Sequence, residues 1–186
     1  MGLSVRERGE TVATLRWIHV RLMETIASWI PTTPEMEIKL AFGTHVWDLA
    51  QHADALGKRT YELRMPLQHS LPPSDAYQAY LAGIAAITDS AERVAAFYDA
   101  VLPALARRYA DYLSRTDQLL DAPTVRIFKH IAAEQARMIG EGDDLRRELA
   151  NLPAAPRALA DGLKQQEQAI ADFVVHRDEK TEAGAA

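Results

Sequence analysis

Cysteine is missing altogether from the 186 residues. Its absence excludes a disulfide framework, a thiolate nucleophile, an iron–sulfur cluster and a cysteine zinc site, so any metal must be held by histidine and carboxylate. Long apolar runs are missing too. The longest are broken by polar residues well short of the roughly 18 that a membrane-spanning helix needs, and residues 1–10 carry charges where a signal peptide has its apolar segment. The expectation is a cytoplasmic protein with no membrane partner. There is no basic excess: 21 Lys+Arg stand against 26 Asp+Glu, a formal charge of -5 that supplies no broad surface for a phosphate backbone and argues against a nucleic-acid partner. Strand signals are nearly absent, with no sustained alternation of β-branched and aromatic residues and no Asn-Gly or Asp-Gly turn.

Helical periodicity is what the chain has instead. With 48% hydrophobic and 25% charged residues it has the balance of one folded domain, read here as a single unit over 1–175. Leu15, His19, Leu22, Ile26 and Trp29 recur at helical steps, the inward stripe of a first helix over about 11–30. Thr33 is placed to cap a second helix, with Pro34 at its first position, over about 34–57. So short a connection sets the two as antiparallel neighbours. Pro66, Pro72 and Pro73 make 63–74 an irregular crossover, followed by a short helix over about 75–87. Ser90 caps a third long helix over about 90–114, where Pro103 removes a backbone donor and should kink it, leaving the Asp99 carbonyl unpaired. Pro123 opens a fourth over about 123–142, ending at Gly140 or Gly142 or resuming through Leu149. Leu159, Leu163, Ile170 and Phe173 or Val174 mark an additional C-terminal helix over about 156–175, and 176–186 is a charged tail expected to be flexible. The fold class is all-α.

Polar side chains on the inward faces are the candidates for chemistry. His45, Asp48 and His52 lie on one line of the second helix, beside an apolar line of Phe42, Val46, Leu49 and Leu56. Groups placed there need hydrogen bonds or a metal. On the fourth helix Glu134 falls on the inner line of Ile127, Ile131 and Met138, flanked by His130 and Arg137. Aligning Pro34 with Pro123 superposes His45 on Glu134, each eleven positions on, and His19 lies eleven before Ile30. That places all three about 16 Å along their helices, at one depth. The structural alternatives are a hydrogen-bonded core for His19 or His52, a His45–Asp48 pair and a Glu134–Arg137 salt bridge. Glu24 reads as a surface residue or local ion-pair partner, and Trp17, Trp47, Tyr98, Tyr109 and Tyr112 as packing and interface residues.

The antiparallel helix pairs, the long crossover and the mid-helix carboxylate and histidine positions resemble the ferritin-like superfamily over about 11–142. The resemblance implies an antiparallel four-helix bundle with a long crossover, extended here by the C-terminal helix. In that family, a Glu from each of two helices and a Glu-x-x-His from each of the others hold two iron or manganese ions. Here the corresponding segments read His45-Val46-Trp47-Asp48, with carboxylate and imidazole reversed, and Glu134-Gln135-Ala136-Arg137, with a permanent cation where a ligand belongs. The first helix offers His19, and a third-helix carboxylate has to be Asp99 or Asp111.

The resemblance implies iron or manganese, and the altered motif favours one ion over two, at His19, His45, Asp48 and Glu134. The enzyme it implies is an oxidoreductase or oxygenase acting on a small molecule. A metal-free variant would work by acid–base chemistry, with His45, Asp48, His52, Glu134 and Arg137 as the candidate catalytic set. The non-enzymatic alternative is a helical module that docks a partner through its fifth helix or crossover. A homo-oligomer is compatible with all three.

Overall fold

A computed structural model of the chain describes residues 3–149, 155 and 157–176. The architecture is all-α, with no strand among the described residues. Helix α1 (Val5–Trp29) starts earlier than its apolar stripe implies. The cause is a capping box: Ser4 Oγ accepts the Glu7 N–H at 3.2 Å, and Glu7 Oε2 accepts the Ser4 N–H at 2.7 Å. A turn of 3-10 helix (Ile30–Thr32) leads towards α2 (Met36–Glu62). Thr33 does not cap α2. Its hydroxyl donates to the Trp29 carbonyl at 2.9 Å and accepts from Arg93 at 3.0 Å, so it closes α1 instead.

Helix α2 continues beyond Gly57, which is a packing position and not a stop: a Cβ there would collide with the side chains of Gln68 and Arg16. It stops at Arg64, whose φ of 65° turns the chain left-handed. The Arg64 and Met65 N–H groups donate to the Tyr61 and Thr60 carbonyls, both at 3.0 Å, which is the Schellman arrangement with arginine where glycine is usual. The crossover then travels from one end of the assembly to the other. Leu71 N–H bonds the Ala13 carbonyl near the start of α1, and the carbonyl of Ala85, last residue of α3 (Asp75–Ala85), accepts from the Trp29 indole at the far end.

The third long helix is α4 (Ser90–Ala95), a π-helical turn (Ala96–Val101) and α5 (Leu102–Arg115) without a break. Asp89, not Ser90, is its N-cap, accepting the Glu92 N–H at 3.0 Å. The expected proline kink takes the form of the π-turn. Leu102 N–H reaches back to the Phe97 carbonyl, so the ladder widens by one residue just where Pro103 has no N–H to offer. Helix α6 (Ala122–Glu148) runs through both Gly140 and Gly142. Gly142 is required by packing, since a Cβ there would stand 2.5 Å from the Tyr98 ring.

Helix α7 (Arg157–Gln168) is shorter than the periodicity suggests, and residue 156, its expected start, lies outside the described residues. After it the chain forms a strap. Arg108 donates to the carbonyls of Ile170 and Ala171, Ser74 N–H donates to the Phe173 carbonyl, and His176 Nδ1 lies 2.7 Å from Glu10 Oε2. Of the expected flexible tail, His176 is held in this way, and 177–186 lies outside the described residues.

Helix directions follow from the contacts. Helix α1 is antiparallel to α2, with Trp29 against Phe42 and His19 against His52, and α2 is antiparallel to α6, with Arg59 against Thr124 and Asp48 against Arg137. Helix α5 is antiparallel to α6, with Tyr109 against Phe128 and Tyr98 against Gly142. Consequently α2 and α4–α5 run parallel, which is why a crossover of full length joins them. The shared core includes Leu15, Ile18, Leu22, Phe42, Leu49, Phe97, Leu105, Phe128 and Ile131, all buried. Each large apolar side chain removed from water contributes about 1.5–3 kcal/mol. No helix among the described residues is long and apolar enough to cross a membrane.

Candidate functional site

Antiparallel packing decides which polar groups meet. Helices α2 and α6 start from opposite ends, so equal distances from Pro34 and Pro123 are not equal depths. His52 lies opposite Glu134, and His45 lies about two turns away, near Glu141. The common depth of His19, His45 and Glu134 read from the sequence is thereby corrected: the level is shared by His19, His52 and Glu134. His45 and His52 are seven residues apart on α2, about 10 Å at 1.5 Å per residue.

The first network runs from the core to solvent. Tyr109 Oη and His19 Nε2 are 2.6 Å apart and both residues are fully buried. The His19 ring meets that of His52 edge-on, with centroids 5.1 Å apart. His52 Nε2 lies 2.5 Å from Glu134 Oε2, whose side chain is 29% exposed, and exposed His130 approaches the same oxygen at 3.6 Å. Because a carboxylate only accepts, its hydrogen bond puts the His52 proton on Nε2 and leaves the lone pair on Nδ1. That Nδ1 is buried and has no partner. Burial lowers the His52 pKa below its ordinary value, partly offset by the hydrogen bond and charge of Glu134. Burial, then the neighbouring His52, hold His19 well below its ordinary value, and burial raises Tyr109 well above its own. Gln135, beside Glu134 and turned fully inward, has no partner on either amide atom.

The second network centres on His45. Its Nε2 bonds Tyr98 Oη at 2.8 Å, its Nδ1 lies 3.6 Å from Asp48 Oδ2, and Glu141 stands 3.9 Å from Nε2. Tyr98 reaches His45 from the π-turn. Burial lowers the His45 pKa against the opposing pull of Glu141 and Asp48, and burial raises that of Tyr98. Arg137 does not pair with Glu134 as the i,i+3 spacing suggests. It donates to Asp48 at 2.8 Å and to Glu141 at 2.6 Å, and the two carboxylates raise its pKa further.

The proposed ligands His19, His45, Asp48 and Glu134 therefore divide between two networks. Among the described residues no three His, Asp or Glu side chains are arranged to hold one metal ion. The donor set present fits hydrogen bonding: every imidazole Nε2 in the two networks faces an oxygen. Glu24 is an exposed ion-pair partner of Arg21, as expected. Trp47 is 66% exposed, and Tyr98, Tyr109 and Tyr112 are core.

The most buried anions are ones the sequence did not mark. Fully buried Asp121 accepts from Thr124 at 2.6 Å, Tyr112 at 2.6 Å, Thr116 at 2.9 Å and Arg59 at 3.1 Å. Burial alone would raise its pKa, but these bonds outweigh it and hold the group below its ordinary value. Fully buried Glu167 accepts from Arg107 and Arg108 and pins α7 to α5. The clue for Asp121 was the pair of flanking threonines; for Glu167 there was none. No family model, curated protein or solved structure matches the chain.

Proposed function

We propose that this chain is a small-molecule enzyme on a ferritin-like four-helix bundle, working by acid–base chemistry with His52 as the base and Glu134 as its positioning carboxylate. The fold half of this reading is supported by helix direction. Helices α1 and α6 run one way, α2 and α4–α5 the other, and one long crossover joins the parallel pair, a recognised bundle topology.

The observation that carries the chemistry is the 2.5 Å contact between His52 Nε2 and Glu134 Oε2, with His52 Nδ1 left unpartnered. A carboxylate that fixes one imidazole nitrogen as donor leaves the other as an oriented base, the relation used in hydrolytic triads. Burial keeps the ring neutral near pH 7, as a base must be. A substrate proton would pass to Nδ1, and the resulting imidazolium would be stabilised by Glu134. Proton return to water would run through Glu134 and exposed His130. The metal-dependent oxidoreductase reading asks four side chains from two networks to share one ion, so the geometry favours the acid–base reading.

Nitrogen-15 NMR of the histidines tests it. His52 is expected as a neutral ring protonated on Nε2 at pH 7, with that tautomer preference lost in Glu134→Gln. Hydrolysis of 4-nitrophenyl acetate, a probe of neutral imidazole acting as base or nucleophile, should slow at least about tenfold in His52→Ala. A doubly protonated or Nδ1-protonated His52 would overturn the proposal. So would stoichiometric iron or manganese in the purified protein that His45→Ala and Glu134→Ala both abolish.

A further inference from the structure

Helix α2 is built to be buried on two sides. Its inner face carries the histidines and the core, and its outer face is formed by Met36, Leu40, Gly43, Thr44, Trp47 and Gln51, all exposed. Met36 is 60%, Leu40 67% and Trp47 66% exposed. From Leu40 to Gln51 no exposed position of this helix bears a charge, although a quarter of the chain is charged; the next charge on the face, Asp54, is neutralised by Lys58 at 2.6 Å. Gly43 lies midway, and nothing stands within 4 Å of where its Cβ would be, so another helix can approach closely.

We infer that this face binds a second copy of the chain, with the two α2 helices antiparallel about a two-fold axis near Trp47. Three arguments select a second copy. The three apolar side chains expose on the order of 400 Å², the size of an interaction patch on a monomer, and a second copy brings an equal patch, which doubles the area towards the roughly 1,000 Å² that a specific interface needs. Antiparallel pairing centred at Trp47 brings Glu37 of one copy to Lys58 of the other at both ends, and sets Thr44 opposite Gln51. Finally, a chain of net charge -5 repels its own copies, and a face whose centre is uncharged and whose Asp54 is neutralised by Lys58 is where that repulsion is least. The symmetry makes the contact isologous and closed, so association stops at two.

Sedimentation velocity from about 1 µM to about 0.5 mM tests this, with an expected Kd in the micromolar range. The mass should rise from 20.7 kDa to twice that value. Trp47→Glu should weaken association at least about 30-fold, the effect of removing an aromatic anchor, with an unchanged circular dichroism spectrum. Glu37→Lys should weaken it several-fold, and Glu37→Lys combined with Lys58→Glu should restore it. A chain that stays at 20.7 kDa throughout, or a dimer indifferent to Trp47→Glu, overturns the inference. Failure of the charge exchange to restore pairing overturns the antiparallel register.

Discussion

Replacing Asp121 by alanine removes the carboxylate on which three helices converge. Arg59 reaches it from α2, Tyr112 from α5 and Thr124 from α6, while Thr116 closes the α5–α6 turn over it. Asp121 is 0% and Arg59 only 7% exposed, so the alanine variant takes the buried carboxylate from a guanidinium that keeps only Glu62 and Thr124, and it leaves three hydroxyls without their acceptor. Breaking a buried ion pair from one side costs about 3–5 kcal/mol. At roughly 2–4 °C per kcal/mol for a chain of this size, Tm should fall by about 6–20 °C. Asp121→Asn keeps the shape but not the charge, and should cost about 1.5–3 kcal/mol, the range of a hydrogen bond to a charged group.

The pH dependence separates charge from shape. The folded-state pKa of Asp121 lies below its unfolded value of 3.8. Its stabilisation is therefore complete above that value and is lost as pH falls through the lower, folded one. Urea unfolding followed by circular dichroism should give a constant gap between wild type and Asp121→Asn from pH 7 to about 5, closing at more acid pH. A cost below about 1 kcal/mol for the alanine variant, or a gap unchanged down to about pH 2, would refute the reasoning.

Three further perturbations follow from the same geometry. Arg64→Gly should stabilise the fold by about 0.5–1 kcal/mol, because glycine adopts the left-handed conformation without strain; a loss of stability in urea would mean that the arginine side chain matters more than its backbone. Gly142→Ala should cost about 1–3 kcal/mol by displacing the Tyr98 ring, while Gly140→Ala, with open space at its Cβ, should gain up to about 1 kcal/mol, a contrast visible in paired thermal melts. The depressed pKa of His19 means that the unfolded state takes up protons first as pH drops below 6.5, so stability is full above that value and declines below it. Replacing His19 by Leu together with Tyr109 by Phe removes both partners of that bond, and should flatten the decline in a pH series of urea titrations.

Much of the fold was legible before any coordinates. The inward stripe from Leu15 to Trp29, the proline-marked crossover and the starts near Pro34, Ser90 and Pro123 come from periodicity and backbone chemistry, which act within a few residues. The misplaced ends have tertiary causes. Gly57 and Gly142 look like stops, yet both lie inside helices, and their lack of a side chain is explained by Gln68 and Tyr98, which occupy the space a Cβ would fill. The Ser4–Glu7 box was readable, but the charges after it hide the apolar period that would have drawn attention to it.

The candidate site divides in the same way. Sequence alone determined that His19, His45 and His52 face inward, since a face is a property of one helix and its 3.6-residue period; Glu134, read onto the inner line, sits at the rim with its side chain 29% exposed, and Gln135 takes the inward position. Which of them meet was decided only by tertiary structure, because antiparallel helices set depth by their relative slide and not by distance from their own starts. A shift of about two turns pairs His52 with Glu134 and assigns His45 to Tyr98, and it moves Arg137 from Glu134 to Asp48 and Glu141.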